Sequence, residues 1–200
     1  MIIRKELKAK AKDQLKGNWA LSVILFLLYS AICFLSGYPG DTTLVISVNI
    51  IGLLLIGSLE VGMNKYVLKL TDYRLDIKLN DLFSGFDVFF KALFITVLYG
   101  LGVFIGTILF IVPGIIVALM FSQSYYILAQ NPEKTAIECM KLSANIMKHH
   151  KWELFVLELS FIGWIILGLI PFGLGLLWVM PYYFVTLGNY YVALKESYIN

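Results

Sequence analysis

Charge is what this chain of 200 residues has least of: Asp, Glu, Lys and Arg make up 14% of it, against about 25% in a soluble domain. With 60% of residues hydrophobic and 15% aromatic, the apolar surface exceeds what one soluble core of this length can hide, so lipid is expected to be the solvent for most of it. Cysteine is limited to Cys33 and Cys139. One falls in an apolar run and the other in a polar segment, which excludes a disulfide framework and any cysteine-based metal spacing. The signatures of catalysis are also missing: there is no H-E-x-x-H, no G-x-S-x-G and no Walker loop. The chain is therefore expected not to be an enzyme and to need no cofactor or metal. Its basic residues are dispersed rather than gathered into a stripe, which argues against a nucleic-acid partner.

What is present is a pattern. Six long apolar runs, at about residues 19–35, 44–61, 89–111, 115–128, 152–170 and 174–192, divide the chain into seven connecting segments. All 16 Lys and Arg lie in, or within about one helical turn of, the first, third, fifth and seventh segments. The second, fourth and sixth contain none. This is the positive-inside distribution. It predicts an all-α polytopic membrane protein, with six transmembrane helices in three hairpins and both termini cytoplasmic. The expected location is the cell membrane. The first run follows a long charged leader and no A-x-A site comes after it, so it is expected to be a retained span rather than a signal peptide.

The chain reads as one membrane domain in three parts: 1–70, 71–130 and 131–200. In the first part, Ile3, Leu7, Ala11 and Leu15 recur every four residues among Arg4, Lys5, Lys8, Lys10, Lys12 and Lys16. This predicts a helix lying in the head-group plane, or else a solvated charged leader. In the third, Asn131-Pro132 is expected to start a second interfacial helix carrying Ala136, Ile137, Met140, Ala144 and Met147 on one stripe. Val112-Pro113-Gly114 and Pro171-Phe172-Gly173 are expected outer turns, and Pro181 an internal kink. Phe104-Ile105-Gly106-Thr107-Ile108 is echoed by Phe161-Ile162-Gly163-Trp164-Ile165 at an offset of 57, and Tyr125-Tyr126 by Tyr182-Tyr183 at the same offset. Both units enter from the same side, as parallel repeats do.

Several runs together carry a resemblance. They are Leu15-Lys16-Gly17-Asn18-Trp19, Leu82-Phe83-Ser84-Gly85-Phe86, and Asn131-Pro132 followed by Ala136, Met140, Ser143, Met147 and Lys151-Trp152. The most specific is Leu157-Glu158-Leu159-Ser160-Phe161-Ile162-Gly163-Trp164, and the last is Pro181-Tyr182-Tyr183. Over essentially its whole length the chain resembles the DUF975 family of bacterial integral membrane proteins. The resemblance implies the architecture and brings no biochemical activity with it. A more distant similarity, to the membrane domain fused to some glycerophosphodiester phosphodiesterases, also concerns architecture alone.

The candidate polar cluster is Glu60, Lys91 and Glu158. Glu158 lies seven residues past Lys151, roughly 10 Å along a helix, where an ionisable group faces a partner or water. The three could form an ion or proton site at the inner leaflet, or a salt bridge that fixes helix packing. His149 and Glu153 have helical ligand spacing but no third ligand nearby. Gly102 and Gly106 suit close helix packing, and Tyr125, Tyr126, Tyr182 and Tyr183 suit either an interfacial belt or bundle packing. The function expected is binding of membrane lipids, or of another membrane protein or a second copy, in the cell envelope. The alternative is a small transporter or channel subunit using inner-leaflet carboxylates.

Overall fold

The computed structural model describes residues 4–36, 43–73 and 76–199. A further outer turn, expected from the sequence at Ser36-Gly37-Tyr38-Pro39-Gly40-Asp41, lies past Ser36 outside the described residues, as do Ile3, Arg74 and the side chains of Ser47 and Asn49. Among those described there is no strand. The helices are α1 (Arg4–Leu15), α2 (Trp19–Ser36), α3 (Thr43–Thr71), a 3-10 helix (Leu79–Val88), α4 (Phe89–Leu109), α5 (Ile111–Phe121), α6 (Ser124–Gln130), α7 (Ala136–Ile146), α8 (Lys151–Leu169) and α9 (Leu176–Ile199). Three helical stretches, 79–109, 111–130 and 151–169, are long and apolar enough to cross a membrane. A fourth is added if α1 and α2, bent by 101°, count as one span. Their outward faces carry Phe104, Ile108, Ile111, Leu167 and Leu169, all more than half exposed. An apolar patch of that extent is stable against lipid and not against water.

α3 is the hub. It packs against α1, α2, α4, α6, α9 and the 3-10 helix, and supplies Leu59, Val61, Met63, Tyr66, Val67 and Leu70 to the core. Gly62 of α3 and Gly85 of the 3-10 helix stand at a backbone-to-backbone contact, where a Cβ on either would run into the carbonyl of Leu82 or of Ser58. The segment around Leu82-Phe83-Ser84-Gly85-Phe86 is thus set into the bundle, with Leu82 fully buried and Phe83 outside.

α1 departs from its expected place. Its stripe of Leu7, Ala11 and Leu15 is buried against protein, mainly α9, rather than left for lipid. Gln14 donates to Thr71 O at 3.0 Å and to Asn189 Oδ1 at 3.2 Å, and Asn189 Nδ2 donates back to Gln14 Oε1 at 2.6 Å. Lys8 lies 4.2 Å above the Phe161 ring and Lys12 lies 5.6 Å from that of Tyr182, contacts of the cation–π class. Gly17, at φ +84°, turns the chain into α2.

Two local expectations shift for reasons visible in the backbone. The turn expected at Val112-Pro113-Gly114 is made two residues earlier by a single extended residue, Phe110 (φ −165°, ψ 153°). Pro113 then sits in the first turn of α5, where a missing N–H costs nothing. The second amphipathic helix begins not at Asn131-Pro132 but at Ala136. Thr135 caps it and exchanges hydrogen bonds with Glu138: Glu138 N to Thr135 Oγ1 at 3.3 Å and Thr135 N to Glu138 Oε2 at 2.8 Å. Its buried face is Ala136, Cys139, Met140, Ser143 and Ile146, with Ile137 turned out. Ser143 is on that face because its hydroxyl bridges the break between α5 and α6, donating to Met120 O at 2.8 Å and accepting from Gln123 N at 3.2 Å.

The cap makes a prediction. Thr135→Ala will destabilise the protein by about 1 kcal/mol, read as a lower melting temperature in detergent. Thr135 N and Thr135 Oγ1 both donate to Glu138 Oε2, at 2.8 and 2.9 Å, and hold the Glu138 carboxyl below its ordinary range. The contribution of Glu138 is therefore complete above the ordinary glutamate range and lost as pH falls through the lowered value. In Glu138→Gln the acid limb of the pH–stability curve will flatten; a limb identical to that of the parent would contradict this.

Candidate functional site

Glu60 lies on α3, half-buried, and accepts a hydrogen bond from the Tyr29 hydroxyl of α2 at 2.6 Å. It is in electrostatic range of Tyr99 on α4, Tyr125 and Tyr126 on α6, and Tyr183 on α9. Glu158 on α8 acts on two of the same phenols, Tyr99 and Tyr183. Of the two carboxylates, Glu60 alone has a described hydrogen-bond partner, Tyr29. The tyrosines serve as the polar packing of the bundle interior rather than as an outer belt: Tyr126 is 5% exposed and Tyr182 6%, and Thr96 and Tyr125 share a hydrogen bond of 2.9 Å.

Lys91 is placed elsewhere. Its ammonium donates to Pro132 O at 2.6 Å and to Glu133 O at 3.2 Å, holding the loop that leads to α7. Among the described residues no salt bridge joins Lys91 to Glu60 or Glu158. The histidine pair also differs from the expected spacing. His149 adopts φ 73° and is exposed, and it is His150 Nδ1 that meets Glu153 Oε2, at 2.9 Å. Among the described residues no group of three potential metal ligands forms.

A second polar feature was not singled out from the sequence. A cleft of about 550 Å³ opens between the ends of α3, α6 and α9 and the 3-10 helix. Lys65 and Lys69 enter it from α3 and Lys195 from α9, together with Asp72, Asp81, Gln130 and Asn131. Lys69 bonds Asp81 Oδ1 at 2.8 Å, and that bond raises its pKa above the ordinary lysine value. Lys65 and Lys195 instead bond neutral acceptors, Ser84 O and Gln130 Oε1, each at 2.7 Å. The cleft thus holds three lysines against two aspartates, Asp72 and Asp81, and two of the ammonium groups rest on neutral acceptors. The signal was present in the i, i+4 pair Lys65 and Lys69 on the tail of α3, but the third lysine comes from far along the chain.

Two apolar grooves on the flanks each include one lysine in their lining. One of about 500 Å³ is formed by Phe90, Phe94 and Val97 with Lys91 and Thr135. The other, of about 400 Å³, is formed by Ile115, Leu119 and Phe155 with Lys151 and Trp152. Each combines an apolar wall with a lysine in its lining, the two elements an anionic amphiphile requires.

A family model described as "Protein of unknown function (DUF975)" matches residues 1–116 and 105–198. No curated protein and no solved structure matches the chain.

Proposed function

Because the chain belongs to the DUF975 family, a family without an assigned activity, function has to be argued from its surfaces, and we propose that it binds anionic membrane lipid without catalysing a reaction. In this reading the chain is a six-span cell-membrane protein, α2, α3, α4, α5–α6, α8 and α9 crossing in turn. The lysine-bearing ends, with both termini, face the cytoplasm. The observation that carries the proposal is the cleft, in which three lysines outnumber Asp72 and Asp81 and the ammonium groups of Lys65 and Lys195 rest on neutral acceptors, at the end of the bundle where basic residues collect. The two flanking grooves support it with acyl-sized apolar walls.

Native mass spectrometry of the protein taken from membranes tests this. Anionic phospholipid will be retained in preference to zwitterionic, and Lys65→Gln with Lys195→Gln will weaken that retention at least about threefold, on the scale of about 1 kcal/mol per basic residue at a membrane surface. Retention without headgroup preference, or unchanged in the double variant, contradicts the proposal. Topology has its own check: reporters fused after Gly114 or Gly173 will read outside, and those after Lys78 or Lys148 inside.

One observation favours a second reading, a small transporter or channel subunit. Glu60 and Glu158 converge on Tyr99 and Tyr183 inside an apolar bundle, where carboxylates commonly serve ion pathways. Cation flux in liposomes that Glu158→Gln abolishes would replace the lipid-binding proposal with this one.

A further inference from the structure

Two cations of α1 lie against the middle of α8. Lys8 Nζ donates to Ser160 O at 3.3 Å and stands 4.2 Å from the centre of the Phe161 ring. Lys12 Nζ lies 5.8 Å from the centre of the Trp164 ring and 5.6 Å from that of Tyr182. Ser160 is nine residues past Lys151, where α8 begins, which places Lys8 roughly 13 Å along that helix from its polar end. α9 gives a similar figure independently. The Tyr190 hydroxyl meets His150 O at 3.0 Å, beside the start of α8, and Tyr182 stands eight residues earlier in α9, roughly 12 Å towards the hairpin turn. Half of a hydrocarbon core is about 15 Å. With α8 crossing the membrane, both ammonium groups lie within the hydrocarbon thickness of the inner leaflet.

Neither cation meets an anion from the bundle. Among the described residues no salt bridge joins α1 to α8 or α9, and Lys16 pairs only with its neighbour Asp13. Ring faces and one carbonyl leave donors of each ammonium unused. Lys12 is exposed and Lys8 half-buried. The adjoining face of α8 is open as well: Trp164 is 44% exposed, and nothing lies within 4 Å of the would-be Cβ of Gly163. The lysines cannot leave by moving their helix, because Leu7, Ala11 and Leu15 are buried and Gln14 is bonded to Thr71 O and Asn189. An ammonium left bare in hydrocarbon is costly, and such groups face a partner or water.

We propose that α1 and α8 frame a furrow in the lipid-facing surface, into which the phosphate of an inner-leaflet phospholipid sinks to pair with Lys8 and Lys12. Charge and surroundings both select this partner. A phospholipid brings an anion on a body whose chains suit the exposed apolar side of α8, where Leu159 and Ile162 stand outside. The furrow differs from the cleft in place and in selectivity, since zwitterionic and anionic phospholipids carry the same phosphate. Its consequence is a bilayer thinned on the inner side next to α8. The inference rests on the reading of α8 as a membrane span and not on what the cleft binds.

Fluorescence quenching in phosphatidylcholine nanodiscs is the test. With Trp19→Phe, Trp152→Phe and Trp178→Phe, Trp164 is the sole indole. A nitroxide on the phosphatidylcholine headgroup will quench it at least about twofold more than a mid-chain nitroxide, because a headgroup comes to an ammonium and not to bare hydrocarbon. Lys8→Leu with Lys12→Leu will reverse that order. The control is Phe104→Trp in a background with all four tryptophans replaced; it lies thirteen residues past Lys91, as Trp164 lies thirteen past Lys151, and the mid-chain nitroxide will quench it more. Trp164 quenched in the manner of the control overturns the proposal. If the tryptophan variants fail to fold, spin labels at Gly163→Cys and Gly100→Cys in a Cys33→Ser background decide, since nothing lies within 4 Å of either would-be Cβ. A water-soluble nickel chelate will collide with the label at 163 at least about threefold more often than with that at 100, because water accompanies the phosphate; equal collision overturns the proposal. Nickel access without headgroup quenching means that water alone fills the furrow, and overturns it too. A reporter after Gly173 that reads inside removes the spanning reading of α8 and the proposal with it, whereas an outside reading with equal quenching overturns the proposal alone.

Discussion

Gly85→Val will prevent recovery of folded, monodisperse protein. A Cβ at Gly85 would be driven into the carbonyl oxygen of Ser58, and one at Gly62 into that of Leu82. The opposing atoms are backbone, so no rotamer change can relieve the clash. The 3-10 helix must lift from α3, and it takes with it buried Leu82 and the bonds from Lys65 to Ser84 O and from Lys69 to Asp81. Ordinary overpacking costs about 1–3 kcal/mol; displacement of a whole element should reach or exceed the upper figure. Gly100→Ala is the matched control, since nothing lies within 4 Å of its would-be Cβ. Size-exclusion profiles and melting curves in detergent compare them. A Gly85→Val protein that elutes and melts with its parent would show that the close approach is not required.

The second large effect is expected at the lock between α1 and α9. In Asn189→Leu, Gln14 loses the donor to its side-chain oxygen and one of its two acceptors, keeping only Thr71 O. An unsatisfied buried amide costs about 1–3 kcal/mol. Removing both partners leaves fewer stranded groups, so Gln14→Leu/Asn189→Leu will be less destabilised than the sum of the single variants, with a coupling of about 0.5–3 kcal/mol. Thermal melts of the four proteins measure this. Strict additivity would mean that the two amides do not act together.

Helix positions were largely legible. The run expected at 19–35 is α2, that at 89–111 is α4, and that at 152–170 is α8, each within about two residues, because hydropathy integrated over a long run is a strong signal. Where expectation and structure part, the deciding contact is non-local. The stripe of α1 could be seen, but whether lipid or α9 covered it depended on Asn189, at the other end of the chain. The start of α7 was set by Thr135 and Glu138 in place of the equally plausible Asn131-Pro132. The echo at offset 57 does not extend to surroundings: Phe104 is 63% exposed whereas its counterpart Phe161 is fully buried. Nor do the matched glycines share a role. Gly106 closes on Gly114, while nothing lies within 4 Å of the would-be Cβ of Gly163.

The candidate site was legible one residue at a time and not as a set. Glu60 and Glu158 stand out in apolar sequence because charge there is costly. Lys91 stood out for the same reason, yet it is used to hold a loop. Tyrosines were numerous enough to be ambiguous, and only helix packing selects those near Glu60. Lys195 could not be linked to Lys65 from sequence, because the cleft they share is made by elements 130 positions apart.

The lock between Gln14 and Asn189 also bears on how the protein is made. Synthesis proceeds from the N-terminus, so α1 leaves the ribosome long before the helix that covers it exists. Until residue 189 has been added and α9 has joined the others, Leu7, Ala11 and Leu15 have no partner there. During that interval α1 is a free amphipathic segment rich in lysine, which the membrane surface or a chaperone must hold. Closure of the bundle is then a late event that joins its first helix to its last. A chain stalled before α9 would keep its early helices and still display an exposed apolar face, a mark by which quality control could recognise it.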